Sequence, residues 1–348
     1  MFILGFTVIV NVNMNPIIPD ISRQIYKEDI LKVLERKYSL MGPMWVNQQC
    51  EWMNGIYASF KNHDKFLILI FLVKKTLDFY SRNFTKVTYE EFYSKDIVQI
   101  ERFSIAEISE ALCIPKESAR RKILELEEVT AIRKIKNKII IDRSKFYFTK
   151  PQNSIKRISR FLTTLSDISE NENFLSDSIT SEKLELIIKD NFSYVWKLYY
   201  ELQIPMMIRY KEVFGDIESF HIFGICVLNE HLHAKKVTEH DMHRDEFLNS
   251  FFSSENSHGI NAMSISDITG IPRATVIRKL KNLVKQKNKA LIKALKVSQT
   301  RGLRAGEKYS VKLGLDKGAI YAGSRDKPKS FFKKKSFMSA EDSRKLGF

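Results

Sequence analysis

Between residues 272 and 285 the string "PRATVIRKLKNLVK" holds five basic residues and no acid. On a helix, Ala274, Thr275, Arg278, Lys281, Asn282 and Lys285 fall on one face, and Val276, Leu280 and Leu283 on the other. The apolar face suits a core. The opposite face suits the edges and phosphates of a nucleic acid duplex: an arginine fork matches guanine, asparagine matches adenine, and lysines meet phosphate. Arg273 and Lys279 complete this candidate set. Downstream, Arg301, Arg304 and Lys308 flank Gly302 and Gly306, a flexible basic loop suited to phosphate contact. A second string, "PKESARRKILELEE" at 115–128, offers Lys116, Ser118 and Arg121, but its four basic residues are balanced by four acidic ones. Electrostatics therefore assigns tight contact to the later segment.

Other chemistry has less support. The cluster "HLHAKKVTEHDMH" sets His231, His233, His240 and His243 beside Glu239 and Asp241, donors that could hold a divalent ion. Lys235 and Lys236 separate the two pairs, and a solvated polar loop accounts for the same residues, so no metal is expected. No GxxxxGK[ST], GxGxxG, HExxH or GxSxG string occurs, which leaves no case for an enzyme or a cofactor. Cys50, Cys113 and Cys226 are odd in number and widely spaced, which points to neither a disulfide framework nor a thiolate metal site and fits a reducing cytoplasm.

The charge is segregated. Basic residues outnumber acidic ones ten to five in 115–145, twelve to one in 272–311 and eight to three in 324–348. Those excesses together surpass the net charge of +16, so the rest of the chain is mildly acidic and a polyanionic partner is expected. Residues 323–348 read as a flexible basic tail, and 151–185, centred on the polar run "TTLSDISENENFLSDSITSEK", as a linker. Residues 1–20 form an apolar segment without a basic leader, compatible with a first strand, an anchor or a start at Met14. "FLILIFLV" at 66–73 is far short of the roughly 20 apolar residues of a membrane helix and predicts a buried helix; no membrane partner is expected.

The elements that must position the basic face occur twice. "CIPKESARRKI" at 113–123 parallels "GIPRATVIRKL" at 270–280, and "FSIAEI" at 103–108 parallels "MSISDI" at 263–268. Ser104 with Glu107, and Ser264 with Asp267, have capping-box spacing and predict helix starts. Pro115 and Pro272 suit the first turn of a second helix. From Ile108 to Pro115 is longer than from Ile268 to Pro272, which predicts a first helix about one turn shorter in the second copy. A strand pair follows each copy, at 131–141 and within 290–313. Aromatic-rich segments 44–60 and 194–214 predict helices upstream, their rings serving as core.

This order, over 103–148 and 261–315, resembles the winged helix-turn-helix family of bacterial DNA-binding regulators. The resemblance implies a mainly α fold with small β-hairpin wings, duplicated in halves 21–150 and 186–322, with the second helix of each module in the major groove. It also implies double-stranded DNA as partner, transcriptional regulation as role, and a cytoplasmic, nucleoid-associated location. Duplication would replace homodimerisation, giving an intramolecular pseudo-dimer. Plasmid replication initiators, also known to carry tandem winged domains, are a second reading. A protein-interaction scaffold without DNA is a third, supported by the acidic face of the first copy.

Overall fold

The computed structural model describes residues 26–136, 138–145, 150–234, 242–247, 259–285 and 308–309. The segment 1–20, the tail 323–348, and Arg301 and Arg304 lie outside these residues. The fold is mainly helical, with one small three-stranded antiparallel sheet.

Helices α1 (Lys27–Arg36), α2 (Tyr38–Phe60) and α3 (His63–Arg82) open the chain. A short α4 (Tyr89–Tyr93) and strand β1 (Ile97–Ile100) lead to α5 (Ile105–Leu112), α6 (Lys116–Glu128) and the hairpin β2 (Ile132–Ile135) and β3 (Lys138–Asp142). Strand β3 lies between β1 and β2, pairing Val98 with Ile141 and Ile132 with Ile141. The apolar run at 66–73 is interior to α3, as its composition predicts.

Helix α7 (Gln152–Asn171) follows, then α8 (Ser181–Asp190), α9 (Phe192–Phe214) and α10 (Ile217–Ala234). Strand β4 (Ile260–Asn261), α11 (Ala262–Thr269) and α12 (Arg273–Lys285) come next, and β5 (Lys308–Tyr309) pairs antiparallel with β4. The expected linker 151–185 is instead mostly helix. Ile155, Ile158 and Ile168 of α7 and Leu184 of α8 are buried, and the serines that made the stretch look like a loop are packed inside it: Ser154, Ser159, Ser166 and Ser169 are all buried. Ser169 Oγ donates to the Leu165 carbonyl at 2.7 Å, satisfying its hydroxyl within the helix.

Four helices of the first part of the chain recur in the same order and length in the second. Helices α1 and α8 have 10 residues each, α2 and α9 23 each, α5 and α11 8 each, and α6 and α12 13 each. Left-handed residues close the same helices: Lys61 (φ 50°) and Gly215 (φ 84°) after α2 and α9, Cys113 (φ 49°) and Gly270 (φ 70°) after α5 and α11. In the turns between α5 and α6 and between α11 and α12 a serine hydroxyl, Ser109 or Ser266, donates to the isoleucine carbonyl five residues on at 2.7 Å.

One cap differs from the sequence expectation. Ser104 and Glu107 do form a capping box at α5. At α11, however, the cap is Asn261, whose Oδ1 accepts from the Ser264 amide at 2.9 Å, so Ser264 lies within the first turn and Asp267 is not its N3 partner. The helix therefore begins three residues earlier, and the two first helices are equal in length. Asn261→Ala should cost about 1 kcal/mol in a urea unfolding series while Ser264→Ala stays near neutral; the reverse order would restore the serine cap.

The halves cross rather than sit side by side. Helix α2 packs on α10, and α3 on α9. Exchanging the halves turns each contact into the other, the isologous pattern of a two-fold dimer. At the crossing Gly224 of α10 lies so close to α2 that an added Cβ would come 3.0 Å from Cys50 Sγ. One core cluster joins Trp52, Leu67 and Ile108 of the first half to Trp196, Ile204 and Met207 of the second. Another seats Ile265, Ile271 and Leu280 of the second helix-turn-helix on Cys50 and Tyr57 of α2.

Candidate nucleic-acid interface

Helix α12 is positioned from beneath. Val276, Leu280 and Leu283 are buried, the first two with α10 and α11 and the third against Phe214 and Phe223. A left-handed Gly270 makes the turn that sets α12 across α11, a conformation that glycine adopts without strain.

The outer face is as the spacing predicts. Arg273, Ala274, Arg278, Lys281, Asn282 and Lys285 are exposed and Thr275 is half-buried. Among the described residues, Arg278, Lys281 and Lys285 have no carboxylate within ion-pairing distance. Their charge is available to an outside partner.

Lys279 is the exception and a correction. It is buried on the inner face, where its ammonium bonds the Asp216 carboxylate at the entry to α10. A buried lysine must keep a counter-charge, and Asp216 supplies it, so Lys279 cannot reach a ligand on the outer face. The first half repeats the device: Lys122 of α6 is buried 3.9 Å from Asp64 of α3. Asp64 in turn lies 3.3 Å from Lys211 of α9, whose ammonium also donates to the Cys113 carbonyl at 3.3 Å.

On α6, Lys116 and Arg121 are exposed and Ser118 is half-buried, but this face is electrostatically spent. Arg120 makes a two-pronged bond to Glu117 at 3.0 to 3.1 Å through Nε, Arg121 lies 3.9 Å from Glu125, and Lys65 donates to Glu125 at 2.6 Å. The Lys65 hydrogen bond, and lesser attraction from Lys122 and Arg121, hold the Glu125 carboxyl below its usual range. Leu124, exposed, stands where α12 has Lys281.

The hairpin beside α6 carries basic residues that spacing arguments on helices passed over. Lys134, Lys136 and Lys138 are exposed near its turn, while Arg133 is drawn off to Asp142 at 2.7 Å. The signal was present as alternation with Ile132, Ile135 and Ile139 along two short strands. In the second half, Lys308 lies on β5; the other loop residues lie outside the described ones.

Of the four histidines, only His231 and His243 have described side chains. His231 is buried on α10, its ring 5.6 Å from Phe247, and burial drives its pKa down to about 4. His243 is exposed, and its Nδ1 accepts from the Asp245 amide at 3.3 Å. His240, Glu239 and Asp241 lie outside the described residues. Among those described, no three metal-donor side chains converge, and no helix is long and apolar enough to cross a membrane.

Set against protein-family models, curated proteins and solved structures, the chain finds no match. The geometry must carry the functional reading alone.

Proposed function

We propose that this chain binds double-stranded DNA sequence-specifically through two winged helix-turn-helix modules and acts as a transcriptional regulator. The observation that carries the proposal is the outer face of α12: Arg278, Lys281, Asn282 and Lys285 exposed together, uncompensated by any described carboxylate, on a helix fixed from below by a buried apolar face. Arginine and asparagine supply base-edge recognition, and the lysines supply phosphate attraction.

The matched halves support a pseudo-dimer within one chain. Their swapped packing, α2 on α10 and α3 on α9, is what two subunits of a symmetric regulator would make between them. Both modules docked on one DNA face would have half-sites about one helical turn, roughly 34 Å, apart. The unequal outer faces of α6 and α12 imply an asymmetric site, read tightly on one side.

The state of α6 favours a second reading for the first module. With Arg120 and Arg121 paired to Glu117 and Glu125, and with Leu124 and Val129 exposed, that face fits a protein contact better than a groove. A replication initiator would use the same DNA-binding surface, and iterated sites beside an origin, rather than one promoter site, would identify it.

Selection from a random duplex pool at about 150 mM salt tests the proposal, because nonspecific binding is weak there. An enriched asymmetric motif is the expected result; no enrichment, with affinity merely fading as salt rises, would refute sequence-specific reading. On the enriched site, Arg278→Ala should erode discrimination at a single base pair by about 1 to 3 kcal/mol, measured by competition with singly substituted duplexes.

A further inference from the structure

Where the halves cross, two histidine rings meet inside the protein. His63 begins α3 and His221 lies on the second turn of α10; both are 1% exposed, and their ring centroids are 5.3 Å apart, edge to face. His221 Nε2 lies 2.8 Å from Asn54 Oδ1 of α2. The amide oxygen can only accept, so Nε2 carries the proton and Nδ1 of neutral His221 is bare. That Nδ1 is buried without a hydrogen-bond partner. His63 Nδ1 lies 3.5 Å from Glu218 Oε1, and Tyr57 of α2 leans on the His63 ring at 5.4 Å.

The surrounding charges are nearly all committed. Lys279 of α12 attracts Glu218 but is bonded to Asp216. Asp64, next to His63, is taken up by Lys211 of α9 and Lys122 of α6. Helix α11, also packed on α10, has its one charged residue, Asp267, exposed. Glu218 is therefore the carboxylate at hand for the histidine pair. Burial alone would raise its pKa, yet the adjoining His63 ring brings it down to about 2, so it stays ionised in mild acid.

One carboxylate can balance one proton. Glu218 stands on the His63 side of the pair, 3.5 Å from His63 Nδ1. A proton on His221 would place an imidazolium 5.3 Å from the His63 ring in a low-dielectric interior, with its new N–H at Nδ1 aimed at no acceptor.

We propose that the crossing of the two halves is a proton-operated latch, closed while His221 is neutral and opened in mild acid when His221 takes a proton at Nδ1, where no acceptor meets it. The latch stands on the packing of the halves and does not depend on DNA binding. Burial, with the neighbouring His63, depresses the proton affinity of His221 well below that of an ordinary imidazole. An opened or unfolded His221 titrates near its ordinary value of about 6.5. The closed state is thus at full strength above that value and weakens about tenfold per pH unit below it, until the closed-state pKa is reached. Between pH 7.5 and pH 5 the opening equilibrium should rise, by at most roughly thirtyfold, the ceiling set by the ordinary imidazole value.

The test follows hydrogen exchange of α2 and α10 amides in the full chain over that range, corrected for intrinsic pH dependence. Protection in these helices should fall as pH drops in the wild type and be retained in His221→Gln, whose amide can still donate to Asn54 but cannot ionise. His231 of α10, whose pKa burial also lowers, is replaced by Gln in both proteins so that its own titration does not enter the comparison. Equal loss of protection in wild type and His221→Gln would overturn the proposal. Should His221→Gln not fold, nitrogen-15 spectra of the wild-type imidazoles decide: protonation of His221 with α2 and α10 protection unchanged would overturn it equally, and protonation together with loss of protection would support it.

Discussion

Arg278→Glu, Lys281→Glu and Lys285→Glu combined will lower affinity for the selected duplex by a thousandfold or more at about 150 mM salt. The face loses three cations and gains three anions, each change worth on the order of 1 kcal/mol against a phosphate lattice in a solvated setting. The three positions are exposed and free of ion pairs among the described residues, so the substitutions break no described ion pair and the fold should be kept. Circular dichroism and the urea midpoint check that. The same reversal on the first module, Lys116→Glu with Arg121→Glu, should cost tenfold or less, because the neighbouring glutamates already cancel most of that helix's field. Equal losses from the two reversals would mean that both modules bind equally, and the assignment of tight reading to α12 would fall.

Much of this arrangement was legible in the sequence, and the errors have identifiable causes. Short-range periodicity located α6 and α12, because Ala119, Ile123 and Leu126, like Val276, Leu280 and Leu283, recur at the spacing a buried helical face requires. The Ser104 capping box was legible for the same reason: all of its partners lie within four residues. Ser264 misled because the spacing to Asp267 was right, but the point at which the chain leaves β4 decides the cap, and Asn261 occupies it. Helix α7 was hidden by composition. Serines normally mark loops, but four of them pack inside a helix whose aliphatic ladder is sparse.

Long-range pairing was wholly illegible. Lys279 reads as one more outward cation until Asp216, 63 residues away, is brought beneath it. His63 and His221 are ordinary residues until the crossing of the halves seals both from water. The duplication was legible as a local string, whereas its main consequence, the swapped packing of long helices, depends on tertiary contacts that no local string encodes.

The largest loss of stability should follow Phe192→Ala, about 3 to 5 kcal/mol in denaturant unfolding. Phe192 is fully buried at the start of α9 and stacks on Trp196 at 5.3 Å with 20° between ring planes. Tyr89, Phe92 and Tyr93 surround it at 5.3 to 5.6 Å. Rings are stiff, so this shell cannot collapse into the space left by alanine, and both the lost burial and the residual cavity are felt. The site also joins the halves: α4 of the first packs on α9 of the second, and the Ser193 amide donates to the Val87 carbonyl at 3.0 Å. A domain of ordinary stability holds only about 5 to 15 kcal/mol in all, so the variant should be near its unfolding threshold at physiological temperature. Tyr194→Ala, two residues on and 53% exposed, should change stability by less than about 0.5 kcal/mol and serves as the control. A loss below about 1.5 kcal/mol for Phe192→Ala would mean that the rings rearrange to fill the gap.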